Sequence, residues 1–277
     1  MPNYTNIAKV KRDNRLMEKR RQKRVLILAV RAGEIMMKAG AEIYRVEDTI
    51  ERICKACGMD HVDVFAMPTG IFVTVDKGFE DDDTYTYIRR LKSSETDLNK
   101  ISRVNDFSRT FTTTDMSVEE GMQVLNEIEK EKKYPVTVRL VCACMAAACF
   151  SVLFGGNAMD FILTFLIGAV CYALSRILSH AGVNFFIHGL LCCALAAFFA
   201  LLAAVSVENA HYSMIIAGCL MLFVPGVAIT NSIRDFLSGD MVSGLGRMAE
   251  AFLTAVSLAA GAGIVIKLWD LMGGRTL

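Results

Sequence analysis

Three stretches of this chain contain no Asp, Glu, Lys or Arg: Leu140–Met159 over 20 residues, Val183–Val207 over 25 and Tyr212–Ile233 over 22. About 20 apolar residues in a helix cover the hydrocarbon layer of a bilayer. Two shorter runs, Phe161–Ser175 and Ala251–Ile266, reach that length once flanking residues are added whose charged ends snorkel to the interface. Helices of a water-soluble core do not come as such long runs in close succession. Of 30 basic and 29 acidic side chains, only six of each follow Pro135. The two halves are therefore built for different solvents. The sequence predicts an α-helical multi-pass membrane protein with five transmembrane helices, near 137–156, 159–178, 183–206, 211–233 and 247–269, in a domain spanning 135–277. An N-terminal cytosolic α+β domain over 1–134 precedes it.

Orientation follows from the basic residues. With the first half inside, the inner flanks carry Lys132, Lys133, Arg139, Arg176, Arg234 and Arg247. The outer flanks carry Lys267 and Arg275, and the C-terminus lies outside. Met1–Arg24 is polar and basic without an apolar core, so no cleaved signal is expected there. Seven of nine cysteines fall in the membrane runs, where they act as small apolar residues, and no disulfides are expected in a reducing cytosol.

In the first half, Arg15–Lys38 and Arg45–Cys57 read as amphipathic helices, the second stopped by Gly58. The period then changes to two, over His61–Ala66, Ile71–Val75 and Thr84–Leu91, and this predicts strands. Between the first two sits Pro68-Thr69-Gly70, where Pro presets φ and Gly accepts a positive φ. Thr96–Arg109 and Ser117–Lys132 read as helices, and Ser117-Val118-Glu119-Glu120 matches a capping box.

Several chemistries lack their residues. Cys54, Cys57 and His61 offer three ligands where a structural zinc wants four, so no metal and no cofactor are expected. Neither a GxxxxGK[ST] nor a GxSxG pattern occurs. The basic run Lys9–Arg24 matches no nucleic-acid module and reads as a solvated helix face.

The membrane half carries three polar signals. Pro225-Gly226 interrupts the fourth span, and freed backbone at membrane depth survives only when buried in protein or lining a wet cavity. Next comes the cluster Thr230, Asn231, Arg234, Asp235, Asp240, Arg247 and Glu250, whose spacings of three and four allow pairing on helix faces. In the last span Arg247, Glu250, Thr254, Ser257 and Gly261 form one polar stripe, which lines a path. The neighbouring Ala251, Ala255, Ala259 and Gly263 form a small-residue face on which helices pack. His188 reads as a hydrogen-bonded packing element rather than a proton relay.

These residues resemble the threonine/serine exporter family, in its larger, split-type subunit. The likeness rests on Ala39-Gly40-Ala41-Glu42-Ile43-Tyr44-Arg45-Val46-Glu47, Pro68-Thr69-Gly70-Ile71, Arg89 and Asp97-Leu98 in the first half. In the second it rests on Val224-Pro225-Gly226, Asn231-Ser232-Ile233-Arg234-Asp235, Gly239-Asp240, and Gly246-Arg247 with Glu250-Ala251. The resemblance implies export of small polar metabolites across a bacterial inner membrane, driven by protons: threonine and serine, or a dicarboxylate such as succinate in split relatives. It implies a smaller multi-span partner subunit, and homo-oligomers fit as well. An odd span count agrees, since it places a following half upside down, as in inverted-repeat transporters. On this reading Asn231 hydrogen-bonds substrate, and Arg234 or Arg247 pairs with its carboxylate. Asp235, Asp240 or Glu250 binds an amino group or a coupling proton. Two rivals differ in class: a hydrolase using Glu42, Glu47 and Thr69, and a metabolite-sensing module on a membrane anchor.

Overall fold

The computed structural model describes residues 4–59, 61–76, 85–91, 95–131 and 134–273. They form two compact units, Met1–Lys132 with Thr230–Arg247, and Lys133–Ile229 with Met248–Leu277. The polar segment expected within the membrane half thus clusters with the N-terminal residues.

The first unit holds α1 (Tyr4–Lys38), α2 (Ile43–Ala56), β1 (His61–Met67), β2 (Gly70–Asp76), β3 (Tyr85–Arg90), α3 (Leu98–Thr113) and α4 (Val118–Lys130). The strands form an antiparallel sheet in the order β1-β2-β3. Leu28, Met36, Val46, Ile50, Ile53, Ile71, Val104 and Leu125 are fully buried in one core. The apolar periods that predict α1 and α2 are the faces these helices bury. At their crossing, a Cβ on Gly33 would come within 2.5 Å of Ile50 Cδ1, so glycine sets how closely the helices approach. The expected capping box closes α4: Ser117 Oγ accepts from Glu120 N, and the Glu120 carboxylate accepts from Ser117 N at 2.8 Å.

The Pro68–Thr69 turn joins β1 to β2, with Met67 opposite Gly70. Gly70 is not among the residues with positive φ, contrary to expectation. Its glycine has another reason, because a Cβ there would stand 3.3 Å from the Arg89 carbonyl oxygen of β3.

The second unit holds α5 (Val136–Leu153), α6 (Ala158–His180), α7 (Phe185–Ser206), α8 (Tyr212–Leu220) and residues from Met248 onward of α10 (Met241–Leu271). α9 (Gly226–Leu237) precedes α10. Among the described residues four helices, α5, α6, α7 and α10, are long and apolar enough to cross a membrane. Their outer faces show Val141, Ile162, Leu166 and Val205 exposed, as helices in lipid require. Inside, Cys171, Cys193, Ala196, Ala197, Ala200 and Cys219 pack closely, and thiols serve here as small apolar groups.

The fourth expected span, near 211–233, is divided. α8 stops at Leu220 and α9 begins at Gly226. Between them Leu222 N and Phe223 N donate three residues back, to the Cys219 and Leu220 carbonyls. Pro225 has no N–H to continue the ladder, which accounts for the break.

The faces of α10 also differ from expectation. Ser257 and Gly261 are buried, and a Cβ on Gly261 would stand 2.3 Å from the Leu190 carbonyl oxygen of α7. Ala255, Ala259 and Gly263 are exposed. Ser257 and Gly261, two members of the stripe expected to line a path, pack, and three of the four small residues expected to pack do not.

Candidate functional site

The site forms around the turn between α1 and α2. α1 ends in a Schellman motif: Gly40, with φ +82, donates to the Met37 carbonyl and Ala41 N to the Met36 carbonyl. Asp97 N donates to the Ala39 carbonyl, and the Asp97 carboxylate caps α3 through Lys100 N. The turn Gly40–Ile43 therefore has its backbone presented in one fixed form.

Side chains of α9 and the start of α10 meet that backbone. Asn231, buried, donates its amide to the Gly40 carbonyl at 2.9 Å. Arg247 donates to the Ala41 carbonyl at 2.8 Å. Arg234 pairs with the Glu42 carboxylate, which also takes Arg45 at 3.1 Å. Asp235, wholly buried, accepts from Ile43 N at 3.3 Å. Its other oxygen stands 3.3 Å from Arg247 Nε, an ion pair without hydrogen-bond geometry. α9 ends as α1 does, with Gly239 at φ +92 and Asp240 N donating to the Asp235 carbonyl. The two stretches that carried the resemblance thus meet as one network.

The charges are unequal in environment. Burial pushes the Glu42 carboxyl up, but its own backbone N–H, Arg45 and Arg234 outweigh this and hold it below the ordinary value. Glu47 is raised, by burial first, with the negative Asp240, Glu51 and Asp235 adding to it, although its carboxylate accepts from Ala66 N at 2.8 Å. Burial alone raises Asp240. Five of the six residues expected on a path, Asn231, Arg234, Asp235, Asp240 and Arg247, belong to this unit, while Glu250 is an exposed residue of the second. Pro225 and Gly226 lie at the break between α8 and α9. Pro68, Thr69 and Gly70 shape the hairpin turn, where the Thr69 carbonyl accepts from Leu91 N at 2.9 Å.

Sequence reasoning missed Glu34. Its buried carboxylate takes Lys38 at 2.7 Å, Arg31 at 2.9 Å and Arg89 at 3.1 Å. Burial pushes its carboxyl up, but these three cations bring it down to about 2. The signal was present: Arg31 and Lys38 stand three residues before and four after it, the spacing of neighbours on a helix face.

The family profile described as "Putative threonine/serine exporter" matches residues 27–269 of this chain. The "Probable succinate transporter subunit YjjP" of Klebsiella aerogenes is 24% identical, over 92% of this chain and 98% of that protein. The "Probable threonine/serine exporter" of Mycobacterium tuberculosis is 23% identical, over 84% of this chain and 44% of that protein. The "Threonine/serine exporter" of Corynebacterium glutamicum is 23% identical, over 90% and 52% respectively. The chain spans nearly the whole of the first and about half of the other two. No solved structure matches it.

Proposed function

We propose, for a chain that belongs to the threonine/serine exporter family, that it is the larger subunit of a split, proton-coupled secondary exporter of small polar metabolites. The observation that carries this is the difference in coverage: a named transporter subunit is matched end to end, and exporters about twice as long only by half. A smaller multi-span subunit supplies the missing half. The cargo is threonine and serine or a dicarboxylate such as succinate. The first 134 residues face the cytosol of a bacterium, the C-terminus lies outside, and the divided α8–α9 segment is the fourth of five crossings.

In this reading Asn231, Arg234, Asp235, Asp240, Arg247 and Glu250 serve the inner end of the path. Arg234 and Arg247 offer cationic partners for a substrate carboxylate. Glu42 and Asp235 hold those cations until substrate replaces them. Support comes from the pairing of each arginine with a carboxylate: the buried Arg247–Asp235 pair is costly to leave broken and therefore fit for partner exchange, and Arg234, half exposed, is open to substrate. The test is export by cells that carry both subunits. Asp240→Asn or Glu250→Gln chains, inserted at normal levels, are expected to export at a reduced rate. Export at the wild-type rate by either would remove that residue from the path. Absence of any export of threonine, serine or succinate would remove the function.

A further inference from the structure

The second unit contains a cavity of about 390 Å³, lined among others by Tyr172, Ser175, His188, Leu222, Phe223 and Thr254. Pockets for small ligands begin at about 300 Å³ and are mostly apolar with a few placed polar groups. Leu222 and Phe223 belong to the broken segment between α8 and α9, so non-helical backbone borders the cavity. At membrane depth such backbone is tolerated against a wet or polar space.

The polar groups are specific. His188 Nε2 stands 3.0 Å from Ser175 Oγ and 3.3 Å from the Ser175 carbonyl oxygen. A carbonyl only accepts, so the contact with it is one in which Nε2 donates. The Tyr172 hydroxyl is buried and has no hydrogen-bond partner among the described residues. Thr254 Oγ1 donates to the Glu250 carbonyl at 2.8 Å and retains its lone pairs. Donors and acceptors are thus both on offer. Among the described residues, no Asp, Glu, Lys or Arg lines the cavity.

We infer that this cavity is a binding site for a small polar solute without net charge, such as a zwitterionic amino acid, held by Tyr172, Ser175, His188 and Thr254 beside the α8–α9 break. The inference rests on the export reading for its place in a transport path, and on the cavity alone for the binding. A zwitterion brings its own counter-charge and can use both donors and acceptors. A dicarboxylate would bury two negative charges where no fixed cation answers them, which is strongly unfavourable. The non-helical segment Leu222–Phe223 thus stands against a cavity, one of the two settings in which freed backbone survives at membrane depth.

The experiment is calorimetric titration of the purified full-length chain in detergent with L-threonine and with succinate. Saturable L-threonine binding is expected, with succinate at least tenfold weaker. Tyr172→Phe removes one hydroxyl and should weaken binding about tenfold, the worth of one hydrogen bond. Ser175→Ala and Thr254→Val give independent variants, and melting without ligand verifies that each is folded. Equal binding of succinate, no saturable L-threonine binding, or unchanged affinity in all the folded variants would overturn the inference. Export by cells separates the two readings. A chain that binds L-threonine here but exports nothing, even with the smaller subunit, sinks the export reading and leaves the cavity. A chain whose folded variants bind and export as wild type does the reverse.

Discussion

Glu34→Gln tests the energetics of the first unit at a residue the sequence did not single out. The side chain is 4% exposed and held by Arg31, Lys38 and Arg89. Its carboxyl lies at about 2 against an ordinary 4.5. A carboxyl that ionises more readily in the fold than in the unfolded chain stabilises the fold above the unfolded value and loses that stability as pH falls through the folded one. At about 1.4 kcal/mol for each tenfold change, the gap is worth ~3 kcal/mol at pH 7. At pH 3 the unfolded chain already holds the proton and the fold does not, so roughly 1.5 kcal/mol remains. Glutamine keeps the shape and removes the charge. The variant should melt on the order of 10 °C below wild type at pH 7, and the difference should shrink by about half at pH 3. Circular dichroism of the full chain in detergent, at pH 7, 5 and 3, reads both. Equal melting at pH 7, or a difference that stays constant from pH 5 to pH 3, would refute the assignment of three cations to this carboxylate.

Glu47→Gln should behave oppositely: its carboxyl is raised in the fold, so ionisation opposes folding as pH rises above the ordinary carboxylate range, and the variant should melt no lower than wild type at pH 7. A clear drop there would contradict the burial argument. Asp235→Ala strands the Arg247 guanidinium and the Ile43 N–H, and should cost on the order of 3–5 kcal/mol. The Asp235→Ala/Arg247→Met pair should recover a large part of that, and additive losses in the double mutant would mean the two charges do not compensate each other. Gly40→Ala forces an alanine to φ +82 and should cost about 1–2 kcal/mol, whereas Gly226→Ala, with open space around it, should change melting by no more than about 0.5 kcal/mol.

Much of the first unit was legible because each of its helices and strands buries one face in a single core. Where one face must be dry, apolar residues recur with the period of the element, and α2, β1, β2 and α4 follow their expected limits closely. Turn chemistry was legible in kind but not in cause. Pro68 starts a turn as expected, yet Gly70 answers to the nearness of β3, which no local pattern encodes. The residues of the polar cluster could be named, but their partners could not. Asn231 and Arg247 bind backbone carbonyls 191 and 206 positions away, and any buried carbonyl would have suited them equally in the sequence. The cavity was hidden for a related reason. Tyr172, Ser175, His188 and Thr254 lie on three helices, and no pattern within one helix shows that these polar residues share a wall.

The helix faces of α10 show where a membrane removes information. In water the buried face is the apolar one, but in lipid both faces are apolar and only steric fit separates them. Ala251, Ala255, Ala259 and Gly263 repeat every four residues, the usual spacing for close helix approach, yet the approach to α7 is made by Gly261. A Cβ there meets the backbone of Leu190 at 2.3 Å and Ala194 N at 3.1 Å, and backbone cannot rotate aside. Relief requires the helices to part by about an ångström, which for overpacking costs roughly 1–3 kcal/mol. The same separation would act on Gly189 against Ser257, and so on the wall of the cavity that Gly189 and Thr254 share. Gly261→Ala should therefore lower both the melting temperature and the affinity for L-threonine. Gly263→Ala meets nothing within 4 Å and should do neither, gaining up to about 1 kcal/mol of helix propensity instead. If Gly263→Ala destabilised the chain and Gly261→Ala did not, the face read from the sequence would be the packing face, and the cavity would lose its wall.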